Sequence, residues 1–139
     1  MNKQAPLKKI LWVDDEIESL KPHILFLEKR GFDVTTAMSG DDAVELVSRE
    51  NFDMVLLDEV MPGKDGLTTL EEIKDIDPHL TVVMVTKSEE ESLMDEAIGQ
   101  KIDDYLVKPV NPSQILLVIK RLLDSRKIIS TSSMKRYVT

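Results

Sequence analysis

The sequence predicts an α/β fold, an open doubly wound sheet of five parallel strands with helices on both faces. Three observations point there. Short runs rich in Val, Ile and Leu (Ile10–Val13, Met54–Leu57, Val82–Val85 and Tyr105–Val107) read as strands buried on both faces. Strand-like and helix-like segments alternate from end to end, which calls for right-handed crossovers that lay helices on both sides of the sheet. Four of the runs end in polar residues: Asp14 and Asp15, Asp58, Thr86, and Lys108 before Pro109. In a parallel sheet the carboxyl ends gather along one edge, and ligands bind at that edge.

The elements follow in order. The first strand covers about Lys9–Val13, and Ile17, Leu20, Ile24 and Leu27 then recur at helical spacing up to Gly31, a natural C-terminal cap. Pro22 interrupts that stretch: either the helix kinks there, or a short turn precedes a helix with Pro22 in its first turn. A second strand near Asp33–Ala37 leads through Ser39-Gly40 to a helix with Ala43, Leu46 and Val47. The third strand, Asp53–Leu57, ends at Asp58; a loop with Met61-Pro62-Gly63 and Gly66 precedes a helix with Leu67, Leu70 and Ile73. The fourth strand reaches Thr86, and Ser88 with Glu91 has the spacing of a capping box opening a helix that stops at Gly99. The fifth strand is about Asp104–Val107. Asn111-Pro112 reads as an N-cap with proline at the first helical position, starting a helix with Ile115, Ile119 and Leu122.

A chain of 139 residues fits one domain, assigned to residues 7–125, with 126–139 as a linker or the start of a following helical or output region. The net charge of −8 is uneven: from Lys120 onward the balance is +5, leaving −13 for the rest. An acidic body is a poor general nucleic-acid binder and suits a metal-dependent or basic partner better. The absence of cysteine excludes disulfide and thiolate chemistry and fits a reducing compartment. Only four apolar residues precede Asp14 in the first run, too few for a signal-peptide core or a membrane span. A soluble, cytoplasmic protein is expected.

Asp14 and Asp15 with Asp58 opposite would bring three like charges together, which is unfavourable unless a cation or protons neutralise them. Magnesium prefers oxygen ligands, keeps several waters, and uses few carboxylates plus a substrate phosphate. Acidic residues at strand ends can also simply solvate loops; Asp58, closing a separate buried strand, favours the metal. Asp58 is the candidate nucleophile, since a carboxylate attacking phosphorus forms an acyl phosphate. The transferring phosphoryl group needs its charge compensated from several sides, by magnesium, Lys108, the Thr86 hydroxyl and loop N–H groups. Lys108 alone would read as a surface lysine, but an X–Pro bond can be cis, and a cis bond would turn it toward the site. Thr86 alone is an ordinary strand residue, and Tyr105 reads equally well as core.

Trp12–Glu16, Leu57–Gly63, Val85–Ser88 and Tyr105–Pro109 together resemble the receiver domain of two-component response regulators, over about Lys9 to Leu123. The resemblance implies a flavodoxin-like sheet in the order 2-1-3-4-5. It implies that Asp58 accepts a phosphoryl group from a sensor histidine kinase. Asp15, Asp58 and the backbone carbonyl of Val60 would bind Mg2+, with Asp14 acting through water; Lys108 would contact the phosphate, and Thr86 and Tyr105 would form the switch pair. Such a domain is a phosphoacceptor switch, not an enzyme with a separate substrate. It acts on a downstream effector or C-terminal output domain, with a phosphorylation-dependent homodimer as a further expectation, and without direct nucleic-acid or membrane binding. More narrowly, Leu11–Glu16, Thr86–Glu91 and Lys108–Leu116 resemble the receiver of PorX-type regulators. Those are linked to type IX secretion in Bacteroidetes and carry an alkaline-phosphatase-like C-terminal domain. The chain is then a receiver fragment or a single-domain relative. Lys87 departs from the small residue common after the switch threonine.

Two rivals use the same residue types. A magnesium phosphatase of the haloacid-dehalogenase type also has an aspartate nucleophile and a lysine, but its second acid would fall at Val60, which cannot protonate a leaving group. A flavin or dinucleotide binder would need a glycine-rich loop after the first strand, and none is present.

Overall fold

The computed structural model describes residues 7–124. Five strands, β1 (Lys8–Val13), β2 (Phe32–Ala37), β3 (Met54–Leu57), β4 (Thr81–Thr86) and β5 (Asp104–Val107), form one parallel sheet in the order β2-β1-β3-β4-β5. The helices between them are α1 (Lys21–Lys29), α2 (Gly40–Arg49), α3 (Gly66–Ile76) and α4 (Glu91–Gly99); α5 begins at residue 112 and is described to 124. The expected boundary at 125 and the linker at 126–139 lie outside the described residues.

Alternation along the strands builds two cores. Leu11, Val13, Val55, Leu57, Val82 and Met84 face α2, α3 and α4 and pack with Ala43, Val47, Leu70, Ile73 and Ala97. Ile10, Trp12, Met54, Leu56, Val83 and Val85 face α1 and α5 and pack with Leu20, Leu27, Ile115 and Ile119. β3 and β4 are buried at every position because both faces are covered, whereas β5, at an edge, is only half-buried. The continuous apolar runs at the centre are the sequence's record of that double burial.

The Pro22 alternative resolves into the second form. Ile17–Leu20 make a 3-10 turn, and Pro22 sits in the first turn of α1, where its missing N–H costs nothing. Gly31 takes φ +90° just past α1, a conformation that favours glycine. The Ser88–Glu91 capping box is not formed: α4 starts at Glu91 with Glu90 as N-cap and no side-chain cap. Ser88 is held otherwise, its carbonyl accepting the Tyr105 hydroxyl at 2.9 Å, while its Oγ accepts the Glu90 N–H at 3.3 Å. The reciprocal cap appears instead at α5. Asn111 Oδ1 accepts the Gln114 N–H at 2.9 Å, and Gln114 Oε1 accepts the Asn111 N–H at 2.7 Å. Asn111→Ala should therefore destabilise the domain by about 1 kcal/mol, read as a lower urea midpoint at unchanged slope. An unaltered midpoint would show that the cap contributes nothing.

Candidate functional site

The carboxyl edge of the sheet brings the predicted residues together. The Asp14 N–H donates to the Ala37 carbonyl at 3.0 Å, and the Asp58 N–H donates to the Val13 carbonyl at 3.0 Å, so each acid is fixed by the strand beside it. Asp14, Asp15 and Asp58 each present a carboxylate oxygen within 4.8 Å of the others. Asp14 and Asp58 are buried and Asp15 half-buried. A cavity of about 170 Å³ opens here, lined by Asp15, Glu16, Asp58, Val60 and Lys87.

Lys108 closes the site from the β5 side. The Lys108–Pro109 peptide is cis, and the Lys108 ammonium lies 2.5 Å from Asp14 Oδ2 and 3.6 Å from Asp58 Oδ2. Burial alone would lower its pKa; the Asp14 hydrogen bond and the charges of Asp58 and Asp14 outweigh this and raise it. Asp58 is pushed up by burial, and the Asp14 charge adds to the rise. A hydrogen bond with the Thr86 side chain, the Lys108 charge and the Val60 N–H, 3.3 Å from Asp58 Oδ1, act the other way. Thr86 is fully buried. Tyr105 packs half-buried against the core of the α2–α4 face, its hydroxyl on the β4–α4 loop through Ser88.

Three like charges with one ammonium between them leave an excess of negative charge, and hard carboxylate oxygens beside an open cavity fit a small divalent cation. Val60 lines the cavity and is 63% exposed, and its side chain supplies no acid there. Lys87 is exposed, yet it lines the same cavity and reaches Glu16 across it at 3.6 Å. Beside the site lies a larger, mainly apolar recess of about 340 Å³, lined by Leu20, His23, Lys87, Lys108, Pro109 and Val110.

Two features had no sequence signal. Glu59 is buried directly after Asp58, and nothing in an acid between a strand and a loop announces burial. His23 on α1 pairs through Nε2 with the Val110 carbonyl at 2.7 Å, tying α1 to the loop after Lys108. A contact between residues 87 apart leaves no local pattern to read.

Comparison with known proteins agrees with this geometry. The family model for the response regulator receiver domain matches residues 10–120. The chain is 34% identical over 115 residues to the transcriptional regulatory protein ResD of Bacillus subtilis, covering 83% of this chain and 48% of that protein. It is 33% identical over 129 residues to the alkaline phosphatase synthesis transcriptional regulatory protein PhoP of the same organism, covering 91% and 52%. The chain thus spans about half the length of the curated relatives it matches. Among solved structures, a CheY-like receiver domain protein of Methanospirillum hungatei superposes with TM-score 0.84 at 30% identity, covering 87% of this chain and 97% of that one. A CheX–CheY complex with BeF3 and magnesium from Borrelia burgdorferi gives 0.78 at 28% identity, covering 83% and 88%.

Proposed function

The chain belongs to the response regulator receiver domain family, and on that premise we propose that it is a phosphorylation-controlled switch with Asp58 as phosphoacceptor. Receiver domains are phosphoacceptor switches rather than enzymes that turn over a separate substrate. The observation that carries the reading is the convergence of Asp14, Asp15 and Asp58 with Lys108 and Thr86 at one sheet edge.

Asp15, Asp58 and the Val60 carbonyl would hold Mg2+, with Asp14 acting through water. Bound there, the ion supplies positive charge to the phosphoryl oxygens and cancels the repulsion among the carboxylates. An Asp58 oxygen attacks phosphorus as the bond to the kinase phosphohistidine nitrogen breaks, and that electron pair returns to the imidazole. Lys108 and the Thr86 hydroxyl hold the remaining phosphoryl oxygens. Thr86 then lies fixed against the phosphoryl group, and Tyr105, linked to the same loop through Ser88, carries the change to the surface formed by α4, β5 and α5. The partner that delivers the phosphoryl group is a sensor histidine kinase; the apolar recess around Leu20 and Pro109 supports docking beside the site.

The output is a downstream effector or a C-terminal domain, through a phosphorylation-dependent homodimer or a direct contact, in the cytoplasm. The sequence likeness to PorX-type regulators supports type IX secretion as the process controlled. Intact mass after acetyl phosphate with magnesium tests the reading. One added phosphoryl group on the wild type supports it, and no addition overturns it.

The phosphoryl group should be long-lived for an acyl phosphate. In-line hydrolysis needs a water opposite the Asp58 oxygen, held by a nearby group. The Val60 side chain offers no hydrogen bond to such a water, and the Lys87 stem narrows the cavity with its ammonium drawn to Glu16. Lys87→Ala, by widening the path, and Val60→Glu, by holding the water, should each speed dephosphorylation. Unchanged or slower decay in both would show that neither controls it.

A further inference from the structure

Glu59 stands directly after the phosphoacceptor and is only 8% exposed, although an unpaired glutamate is rarely so deep. Burial pushes its carboxyl up, the Asp65 charge adds to this, and the N–H groups of Gly66 and Leu67 hold it down. The Gly66 N–H lies 3.0 Å from Glu59 Oε2 and 2.9 Å from the Glu59 carbonyl oxygen. Gly66 and Leu67 open α3, where the first amides have no partner inside the helix. A Cβ at Gly66 would run into the Asp58 carbonyl oxygen and Glu59 Cα. Helix α3 therefore butts end-on against the peptide that carries the phosphoacceptor, and the Glu59 carbonyl and carboxylate both accept the Gly66 N–H that closes the junction.

The turn Asp58–Glu59–Val60 is tied on its other sides too. The Asp58 N–H bonds Val13 of β1, and Asp58 Oδ1 accepts the Val60 N–H. The Glu59 side chain adds the tie to α3. We propose that Glu59 is a positioning residue: by accepting the first amides of α3 it holds Asp58 and the Val60 carbonyl in register for the metal and the phosphoryl group. The inference rests on the reading of Asp58 as phosphoacceptor. It also assigns the α3 junction a part in metal affinity, where the aspartate cluster alone would suffice for charge.

The test compares Glu59→Gln, which keeps an acceptor oxygen at the same reach, with Glu59→Leu, which keeps the buried volume, and Glu59→Asp, which keeps the charge but is one methylene short. Magnesium affinity is measured by calorimetry, Asp58 phosphorylation by acetyl phosphate from initial rates, and folding from Tm. The Leu and Asp variants should each lose about tenfold or more in magnesium affinity, as for other groups that orient a metal ligand, and slow in phosphorylation to match. The Gln variant should stay within about twofold of wild type. A Leu or Asp variant with a lower Tm and wild-type magnesium affinity would overturn the proposal, as would a Gln variant as impaired as the Asp one. If the Leu variant does not fold, the Asp–Gln pair decides alone. A wild type that takes no phosphoryl group overturns the phosphoacceptor reading itself. A labelled wild type with unaltered Leu and Asp variants overturns the Glu59 inference only.

Discussion

Asp58→Asn should take up no phosphoryl group from acetyl phosphate under conditions where the wild type is labelled once, and removing magnesium with a chelator should reduce the wild type to the same level. Both outcomes come from the charge balance at the sheet edge. Asp58 faces Asp14 and Asp15 within 4.8 Å, and among the described residues the half-buried Lys108 is the cation in contact with Asp14 and Asp58. A phosphate dianion cannot approach that excess of negative charge until another cation offsets it. The amide of asparagine cannot attack phosphorus to give an acyl phosphate, and Asp14 and Asp15, assigned to the metal, should not take its place. Stability should move the opposite way. Burial raises the Asp58 carboxyl pKa above its unfolded value, so the folded state binds that proton more tightly. The stability it contributes is fully present below the unfolded value of about 3.9 and is lost as pH rises through the folded one. Without magnesium, Asp58→Asn should thus melt higher than wild type at neutral pH and lose that part of the pH dependence. Equal labelling of the two proteins, or a lower Tm for the variant, would contradict the charge argument.

The strand ends were legible because central strands of a parallel sheet are buried on both faces. That burial forces unbroken apolar runs, and the first polar residue after each run marks the edge. That pattern by itself puts Asp14, Asp58, Thr86 and Lys108 on one edge. The strand β5 was bounded correctly, and β3 to within one residue. What failed was local competition for the same groups. Ser88 has the right spacing from Glu91 for a capping box, but its backbone is committed to Tyr105, a strand away, so the chain stays extended through Glu90. Asn111, with the same kind of spacing to Gln114, does cap, and its Oδ1 accepts the Ser113 hydroxyl as well. Glu59 and Lys87 show the other limit: sequence gives a residue's charge but not its depth. One acid is buried against a helix start, and one lysine lies exposed across the cavity from Glu16.

Lys108→Met should separate the structural from the chemical part of the site. Lys108 is 12% exposed and Asp14 fully buried, and their 2.5 Å contact makes the ammonium a counter-ion of the Asp14 carboxylate. Removing the ammonium leaves Asp14 buried, facing Asp58 and Asp15 with no cation between them. Losing one partner of a buried pair costs about 3–5 kcal/mol; the open cavity beside Asp15 and Asp58 lets water in and favours the lower end. In chelator, the variant should unfold at distinctly lower urea concentration than wild type. Magnesium should then restore more stability to the variant than it adds to wild type. The ammonium and the ion both offset the charge of this one carboxylate cluster, so the ion binds more tightly once the ammonium is gone, and a ligand of the folded state stabilises by RT ln(1 + [L]/Kd). Phosphorylation should not recover with stability. A group that compensates charge on the transferring phosphoryl contributes roughly a hundredfold in rate, and methionine supplies none of it. Urea titrations of both proteins with and without magnesium, with initial phosphorylation rates at saturating ion, measure each part. A variant as stable as wild type in chelator, with no larger magnesium shift, would mean that Lys108 is not the counter-ion of the cluster; one that labels at the wild-type rate would mean that it does not touch the phosphoryl group.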